Sequence, residues 1–396
     1  MEKRDLMQEF IKKYAIDRKG THSVKWDGLQ PIFGAENLLP LWVADMDFKV
    51  ADGINQAITK RIEHGVYGYS YLDNDYYEPF FKWMQEHFNV QLSKDWIRFT
   101  PGVVKALYHF VNAFTKPEEA VIIMQPVYYP FSHAIEHTGR KLVSADLIET
   151  KDHHFEIDFK SFEAKIIEHQ VKLFILCSPH NPVGRVWKET ELRRLLDICQ
   201  KHQVVIIADE IHQDFVYQPH QQIALLSLNH PYIQEGVIAV TSASKTFNIA
   251  GLTHSMVMIP NETLRSQYDQ YVNRVGDIGV NLIGSIATAA AYETGEAWLE
   301  SILQVIQYND QLVRQKLTEH EPEIIIYPLE GTYLQFINLN PILKGRDCKA
   351  FIQDQCGLAV DFGEWFGEGY NGYIRLNLAT SPTIIEEAVQ KILDHL

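Results

Sequence analysis

The sequence predicts an α/β fold, in which a mostly parallel, seven-stranded type of sheet has helices on both faces, together with a smaller α+β domain. Between about residues 95 and 260, apolar strand-like runs alternate with helix-like segments, as in a parallel sheet with helical crossovers. The last hundred residues differ, because several short strand-like runs lie there between two helices. At 396 residues the chain is long enough for two cores.

The elements of the first region follow one another closely. In chain order they are VKALYHFVNAF, AVIIMQP, KLVSADL, a helix near 160–169, VKLFILCSP, ELRRLLDICQKH, VVIIAD and GVIAVTSAS. The tail contains EIIIYP, YLQFINLN, GLAVDFG and YIRLNLA between helices at about 296–320 and 382–395. We therefore predict a large domain at residues 48–288 and a small domain formed by residues 1–47 and 289–396.

Composition limits the partners and the compartment. The chain has 51 acidic and 36 basic residues, and its net charge of −15 disfavours nucleic acid and anionic membranes as partners. The N-terminal twenty residues lack the apolar core of a secretion signal, and no run approaches the roughly 18 apolar residues of a membrane span, so we expect a cytoplasmic protein. The four cysteines form no C-x-x-C pair, which argues against zinc and disulfides; we expect no metal.

Polar residues follow the predicted strands at the edge where ligands of parallel sheets bind. Tyr128 follows AVIIMQP, Asn181 follows VKLFILCSP, Asp209 ends VVIIAD, and Lys245 closes the Ser-Ala-Ser-Lys run after GVIAV. A fifth loop, residues 100–105, opens a helix, and exposed amide groups at a helix start bind phosphate well.

Asp209 is unusual because it ends a run that is apolar enough to be buried on both faces of a sheet. An acid there either caps the next helix or binds something basic. The run Asp209-Glu210-Ile211-His212 also resembles the acidic box of a helicase, but that interpretation requires a G-x-x-x-x-G-K-[ST] phosphate loop, and the sequence has none.

Together these loops supply an aromatic face, an amide, a carboxylate, an amine and a phosphate site, a set that suits pyridoxal 5′-phosphate (PLP). This cofactor needs a lysine for its Schiff base and an acid beside its pyridine nitrogen. Each residue alone has an ordinary explanation: a helix cap for Asp209, a turn for Asn181 to Gly184, core packing for Tyr128 and an exposed loop for Lys245. Their shared order and strand context favour the cofactor site.

The order N-P-x-G, D-E and S-x-S-K resembles the fold type I PLP enzymes, which include the aspartate aminotransferase-like proteins. Within them the sequence is most similar to the cystathionine β-lyase branch of the MalY/PatB type, from about residue 14 to the end. The matching runs are Asp17-Arg18-Lys19-Gly20-Thr21, Lys25-Trp26-Asp27, Asp45-Met46-Asp47-Phe48, His64-Gly65-Val66-Tyr67-Gly68-Tyr69, Asp209-Glu210-Ile211-His212 and Ser244-Lys245-Thr246-Phe247-Asn248.

The resemblance implies a role for each matched residue. Lys245 would be the Schiff-base lysine, Asp209 the partner of the pyridinium, Asn181 the donor to the ring hydroxyl oxygen, and Tyr128 the aromatic ring stacked on the cofactor. The remaining implied contacts are the amides of Val103 and Val104, Ser242 and the Tyr69 of a neighbouring subunit for the phosphate, His212 near the ring oxygen, and Arg375 for the substrate carboxylate. A structural salt bridge is the alternative for Arg375.

Two positions depart from the aminotransferase pattern. Thr253 stands eight residues after Lys245, where many aminotransferases have an Arg or Lys that binds phosphate. His212 stands three residues after Asp209, where those enzymes often have Tyr. Both departures resemble the β-lyase branch, although neither residue breaks the substrate bond.

The implied activity is a carbon–sulfur β-lyase that cleaves cystathionine or cysteine-type amino acids by α,β-elimination to pyruvate, ammonia and a thiol, either homocysteine or sulfide. The implied assembly is a homodimer with shared active sites. An aminotransferase is the first alternative, because both reactions use the same residues up to the loss of the α-proton. A regulatory protein that binds a transcription factor is the second, and the intact catalytic set argues against a purely regulatory role.

Overall fold

The fold is described from a computed structural model that covers residues 2–277 and 279–396, with side chains from Asp5 onwards. Its two principal sheets contain, in chain order, β1 (Ile97–Thr100), β2 (Ala120–Ile123), β3 (Lys141–Ser144), β4 (Leu173–Cys177), β5 (Val205–Asp209), β6 (Val237–Thr241), β7 (Ser255–Met258), β8 (Ile325–Ile326), β9 (Leu334–Asn338), β10 (Asp361–Phe362) and β11 (Tyr373–Asn377). The longer helices are α1 (Glu2–Tyr14), α2 (Asp52–His64), α3 (Asn74–Phe88), α4 (Val103–Phe114), α5 (Pro130–Glu136), α6 (Phe159–His169), α7 (Glu189–His202), α8 (Glu262–Val275), α9 (Leu282–Thr294), α10 (Glu296–His320) and α11 (Pro382–Leu393).

The large sheet has seven strands in the order β1-β7-β6-β5-β4-β2-β3. The strands β6, β5, β4, β2 and β3 are parallel, whereas β7 runs antiparallel to both of its neighbours. The central strands β4 and β6 are buried along their whole length, which explains their continuous apolar sequences. The predicted α/β class with a mostly parallel sheet is confirmed. The short strands β1 and β7 were not recognised in the sequence.

Helices cover the sheet and fix the loops at its carboxyl edge. Helix α8 packs against α4 on one face, and α9 packs against α2 and α3. Side-chain caps define several helix starts: Asp158 accepts the backbone N–H of Ser161 at the start of α6, and Asn261 accepts that of Leu264 at the start of α8. The short helix Ala243–Thr246, which carries Lys245, follows β6 directly.

The smaller sheet is antiparallel, with the order β8-β9-β11-β10. Helices α10 and α11 pack against each other. The run GLAVDFG does not form one strand: Leu358–Ala359 pairs in parallel with Leu39–Pro40, and β10 pairs with β11. The chain therefore changes sheets at Val360. The domain limits at residues 48–288, 1–47 and 289–396 stay a prediction.

The described residues contain no helix that is both long enough and apolar enough to cross a membrane. Within the same residues, no group of three or more His, Cys, Asp or Glu side chains is arranged to bind a metal ion. All four cysteines are buried free thiols.

Candidate active site

A cavity of about 170 Å³ lies at the carboxyl edge of the large sheet. The loop after β1 and the start of β7 form one end of it, the residues after β5, β4 and β2 form the other, and the Lys245 helix after β6 lies between them. The lining includes Ala44, Pro101, Gly102, Val103, Val104, Tyr128, Cys177, Asn181, Asp209, Ile211, His212, Ser244, Lys245, Ala250, Thr253, His254 and Ser255. Seven of the ten predicted site residues thus meet in one cavity.

The Lys245 amine points into this cavity and donates a hydrogen bond to the Ala44 carbonyl at 2.7 Å. A hydrogen bond also holds the helix that carries Lys245, because the next residue, Thr246, donates to the half-buried carboxylate of Asp214 at 2.6 Å. Burial lowers the pKa of Lys245 to about 8, against the opposing effect of the Asp45 carboxylate. A lysine with such a pKa is an effective base near neutral pH.

Asp209 ends β5 between Cys177 of β4 and Val240 of β6. Within the described chain its carboxylate accepts one hydrogen bond, from the backbone N–H of Ile211 at 3.1 Å. Burial raises its pKa to about 7, although that hydrogen bond and the charge of Lys245 oppose the shift. The acid is therefore buried without a cation in direct contact, as expected of a residue that binds a cationic ligand group.

Tyr128 and Asn181 form the wall beside Asp209. Burial raises the pKa of Tyr128 well above its usual value, so its phenol is neutral. The Asn181 side-chain oxygen accepts a hydrogen bond from Arg375 at 2.9 Å. The donor nitrogen of the same amide therefore points away from Arg375. Because Asn181 lines the cavity, this nitrogen is available to a ligand oxygen.

Arg375 lies in the middle of β11, behind Asn181 rather than among the lining residues. The guanidinium forms a buried ion pair with Asp361, donates to the Trp42 carbonyl at 3.2 Å, and stacks over the Phe366 ring at 4.9 Å. The salt bridge that was considered as an alternative role for Arg375 is therefore present, with Asp361 as the partner. These contacts fix the plane of the guanidinium, and a substrate carboxylate remains its predicted partner.

The other end of the cavity has the features of an anion site. Gly102 precedes α4 with φ of 153°, a conformation that favours glycine, and no side chain caps the helix. The first backbone N–H groups of α4, at Val103 and Val104, therefore have no partner in their own helix. Thr253 and Ser255 line the same end, where burial lowers the pKa of His254 to about 4 and leaves it neutral. Backbone dipoles and neutral groups form this end.

Ser242, His212 and Tyr69 differ in how they relate to the cavity. The Ser242 hydroxyl is buried and donates to the His254 carbonyl at 2.7 Å, so its phosphate contact stays a prediction. His212 lines the cavity as a neutral ring, because burial lowers its pKa well below the usual value. Tyr69 is fully exposed in its own chain and does not line this cavity; its contact across subunits also stays a prediction.

The sequence did not indicate the role of the segment at residues 41–48, although Asp45-Met46-Asp47-Phe48 was noted as a family motif. Its Ala44 carbonyl accepts both the Lys245 amine and, at 2.8 Å, the hydroxyl of Tyr333. Tyr333 and Ala44 are far apart in the sequence and belong to no common motif, so no sequence signal could have identified this contact.

The family model for class I and II aminotransferases matches residues 43–392. The chain belongs to this family. Within the aminotransferase family it is 35% identical to cystathionine β-lyase PatB of Bacillus subtilis over 95% of this chain and 97% of that protein.

Two solved structures are similar to this chain over nearly its whole length. The PLP-bound C-S lyase of Staphylococcus hominis is 30% identical, with a TM-score of 0.90 over 96% of each chain. A PLP-bound protein of Clostridium difficile, provisionally described as an aminotransferase, is 35% identical, with a TM-score of 0.93 over 97% of this chain and 98% of that chain. The predicted family membership is confirmed.

The cavity of this aminotransferase-family chain fits PLP. Asp209 is a buried acid without a cation in contact, the start of α4 is an uncapped anion site, and Lys245 provides an amine between them. These residues would hold the ring nitrogen, the phosphate and the aldehyde carbon of the cofactor, in that order.

Proposed function

We propose that this protein is a PLP-dependent carbon–sulfur β-lyase, which cleaves cystathionine or cysteine-type amino acids by α,β-elimination to pyruvate, ammonia and a thiol. The main support is that Lys245 and Asp209, both with shifted pKa values, face one cavity that also contains an anion site. The 35% identity to PatB, a cystathionine β-lyase, over nearly the full chain supports this choice of reaction.

When bound, PLP serves as an electron sink for the bond-breaking at the substrate α-carbon. Asp209 would keep a proton at the cofactor's ring nitrogen, which strengthens that sink. Lys245 would take the α-proton, a transfer that its pKa of about 8 favours at neutral pH. Arg375 would bind the substrate carboxylate with a guanidinium that Asp361 holds in a fixed plane.

The neutral end of the cavity also supports a lyase over an aminotransferase. Thr253 lies there in place of the cation found in many aminotransferases, and the phosphate site thus rests on the α4 amides and on hydroxyl groups. Thr253 takes no part in bond cleavage. Its presence therefore supports membership of the β-lyase branch, and the reaction itself needs a direct assay.

The decisive assay is incubation of the purified enzyme with cystathionine, and separately with cysteine, without any added keto acid. Elimination should release pyruvate together with a titratable thiol or sulfide over many turnovers, because the enzyme is regenerated in every cycle. The same assay is run on Lys245→Ala, which removes the proposed catalytic amine. The matched control is Lys201→Ala, which changes an exposed lysine. Conversion of an added keto acid into its amino acid, without release of pyruvate and thiol, would replace the lyase assignment with an aminotransferase.

We further propose a homodimer in which Tyr69 reaches the phosphate site of the other subunit. The support is a run of exposed apolar side chains, Val66, Tyr67, Tyr69 and Tyr71, which one chain leaves in contact with solvent. Sedimentation should give a dimer, and Tyr69→Phe should weaken cofactor retention more than Tyr71→Phe. A fully active monomer would contradict this assembly.

The buried, unpaired thiols of Cys177, Cys199, Cys348 and Cys356 are compatible with a reducing compartment. They support our proposal of a cytoplasmic location. Fractionation of cells that express the tagged full-length chain would test it, and enrichment outside the cytoplasm would contradict it.

A further inference from the structure

Resting on the proposed function, we propose that Tyr333 is a positioning residue for Lys245, and that it acts through the backbone carbonyl of Ala44. The free amine of Lys245 and the hydroxyl of Tyr333 both donate to this one oxygen, at 2.7 Å and 2.8 Å. Tyr333 itself is absent from the residues that line the cavity, so its effect on the reaction is indirect.

Sharing the carbonyl has a chemical consequence. A carbonyl oxygen that accepts a second hydrogen bond is a weaker acceptor for the first, and the ammonium form of Lys245 depends on that acceptor more than the neutral amine does. The Tyr333 hydroxyl therefore favours the neutral amine, which is the form that can take a proton. It also fixes the direction from which the amine approaches the oxygen.

The carbonyl can exert this effect because the 41–48 segment is held on both sides of Ala44. The Asn377 amide donates to the carbonyls of Val43 and Asp45, each at 2.6 Å. On the far side, Asn248 accepts the N–H of Met46 at 3.0 Å and donates to the Met46 carbonyl at 2.9 Å. The Ala44 oxygen is thus a fixed point.

Asn248 links this fixed point to the Lys245 loop. It lies three residues after Lys245, and its backbone has φ of 57°, a left-handed conformation that Asn tolerates better than most residues. The side chain that reaches the 41–48 segment therefore lies two residues beyond the short helix that carries the amine.

The Tyr333 ring is equally constrained. It is fully buried and packs edge-on against His212, at 5.7 Å between ring centroids, and against Phe215 at 4.7 Å. This packing leaves the hydroxyl little freedom to leave the Ala44 oxygen.

Other charged groups near the Lys245 amine also influence its protonation. Asp45 and Asp209 favour its charged form, and Arg375 opposes it. His212 lines the same cavity as a neutral ring. A Tyr333→Phe substitution changes none of these groups, so its effect is separable from theirs.

The test uses Tyr333→Phe in the full-length protein loaded with pyridoxamine 5′-phosphate, a cofactor form that leaves Lys245 as a free amine. Competitive acetylation at a series of pH values, followed by peptide mapping, reports how reactive Lys245 is at each pH. Tyr217→Phe is the matched control, since its buried hydroxyl donates to the neighbouring Thr332 carbonyl at 2.8 Å.

Tyr333→Phe should reduce acetylation of Lys245 at pH 7 about two- to twelve-fold, the range expected for one neutral hydrogen bond, and should move the pH profile to higher pH. Tyr217→Phe should leave the profile unchanged, although both variants lose similar thermal stability. In turnover assays Tyr333→Phe should lower kcat with little change in KM.

An unchanged Lys245 profile in Tyr333→Phe would overturn the proposal, as would an equal shift in both variants. Because acetylation needs no turnover, a protein that lacks lyase activity but shows the shift would refute the proposed function alone. Cofactor loading is checked by absorbance before labelling.

Discussion

Two groups of buried and partly buried charged residues differ in how completely their charges are paired. In the first, Asp47 binds Lys25 at 2.7 Å and the Trp26 indole at 2.8 Å, and Arg18 binds Asp45 through two hydrogen bonds of 2.7 Å. In the second, Lys245 and Asp209 face a cavity, and each has one protein hydrogen bond to a backbone group among the described residues. The first group stabilises the fold, and the second is open to a ligand.

The pKa values follow this difference. Burial alone would raise the pKa of Asp47, but the Lys25 ammonium and the Trp26 hydrogen bond lower it overall. Burial is only partly offset in the second group, where the pKa of Asp209 rises to about 7 and that of Lys245 falls to about 8. Incomplete pairing therefore brings the second group into the pH range where protons can be exchanged.

The largest expected effect is on turnover in Lys245→Ala. Removing the only amine that lines the described cavity should lower pyruvate release at least about a thousand-fold, as for the loss of a principal proton-transfer group. Circular dichroism should show an intact fold. Near-normal turnover would mean that Lys245 is not the catalytic amine.

The next effect is on stability, in Lys25→Ala. This substitution leaves the buried Asp47 carboxylate with only the more distant Arg18 guanidinium, at 3.3 Å, as a cationic partner, and should cost about 3 kcal/mol of unfolding free energy. Urea denaturation measures it, with Lys201→Ala as the control for an exposed pair. If both variants unfold at the same urea concentration, the Lys25 pair does not stabilise the fold.

Asp209→Ala should lower turnover about a hundred-fold while some cofactor is retained, because the ring nitrogen loses its proton partner. Asp209→Glu should be damaged less. Cofactor absorbance and pyruvate release, measured on the same samples, separate binding from chemistry. Full turnover in the alanine variant would mean that Asp209 serves only as a helix cap.

The smallest effect concerns the protein without cofactor. Since the pKa of Asp209 is raised from 3.8 to about 7, the folded state binds more protons than the unfolded state, and stability falls as pH rises through this window. Asp209→Asn should therefore stabilise the cofactor-free protein by roughly 1–3 kcal/mol at pH 8.

At pH 4 the gain from Asp209→Asn should be close to zero, because the native acid is then protonated. Thermal unfolding at the two pH values provides the comparison. A gain of the same size at both would show that the ionised carboxylate of Asp209 costs the fold nothing.

Much of the large domain could be predicted because its signals are local. Continuous apolar runs define β4, β5 and β6. In the predicted small domain, helix α10 likewise matches the prediction at Glu296–His320. The positions of Lys245 and Asp209 follow from the rule that parallel strands bring their carboxyl ends to one edge. The four-residue strand β7 was missed, since a short antiparallel strand has too few residues to show a periodicity.

The contacts between distant parts of the chain could not be predicted from the sequence. The pairing of Leu39–Pro40 with Leu358–Ala359 depends on tertiary packing, as does the ion pair of Arg375 with Asp361. Neither has a characteristic spacing. For the same reason, the shared use of the Ala44 carbonyl became visible only in three dimensions.

The hydrogen bonds of the 41–48 segment also constrain when this enzyme can begin to work during its synthesis. Asn377, whose amide holds the carbonyls on both sides of Ala44, lies more than 330 residues later in the chain. A ribosome-bound chain that already contains Lys245 and Asp209 therefore lacks the residue that fixes the amine's acceptor. The Ala44 carbonyl is held in place only after Asn377 has been translated and β11 has joined its sheet, so shorter nascent chains carry the reactive lysine without its final arrangement.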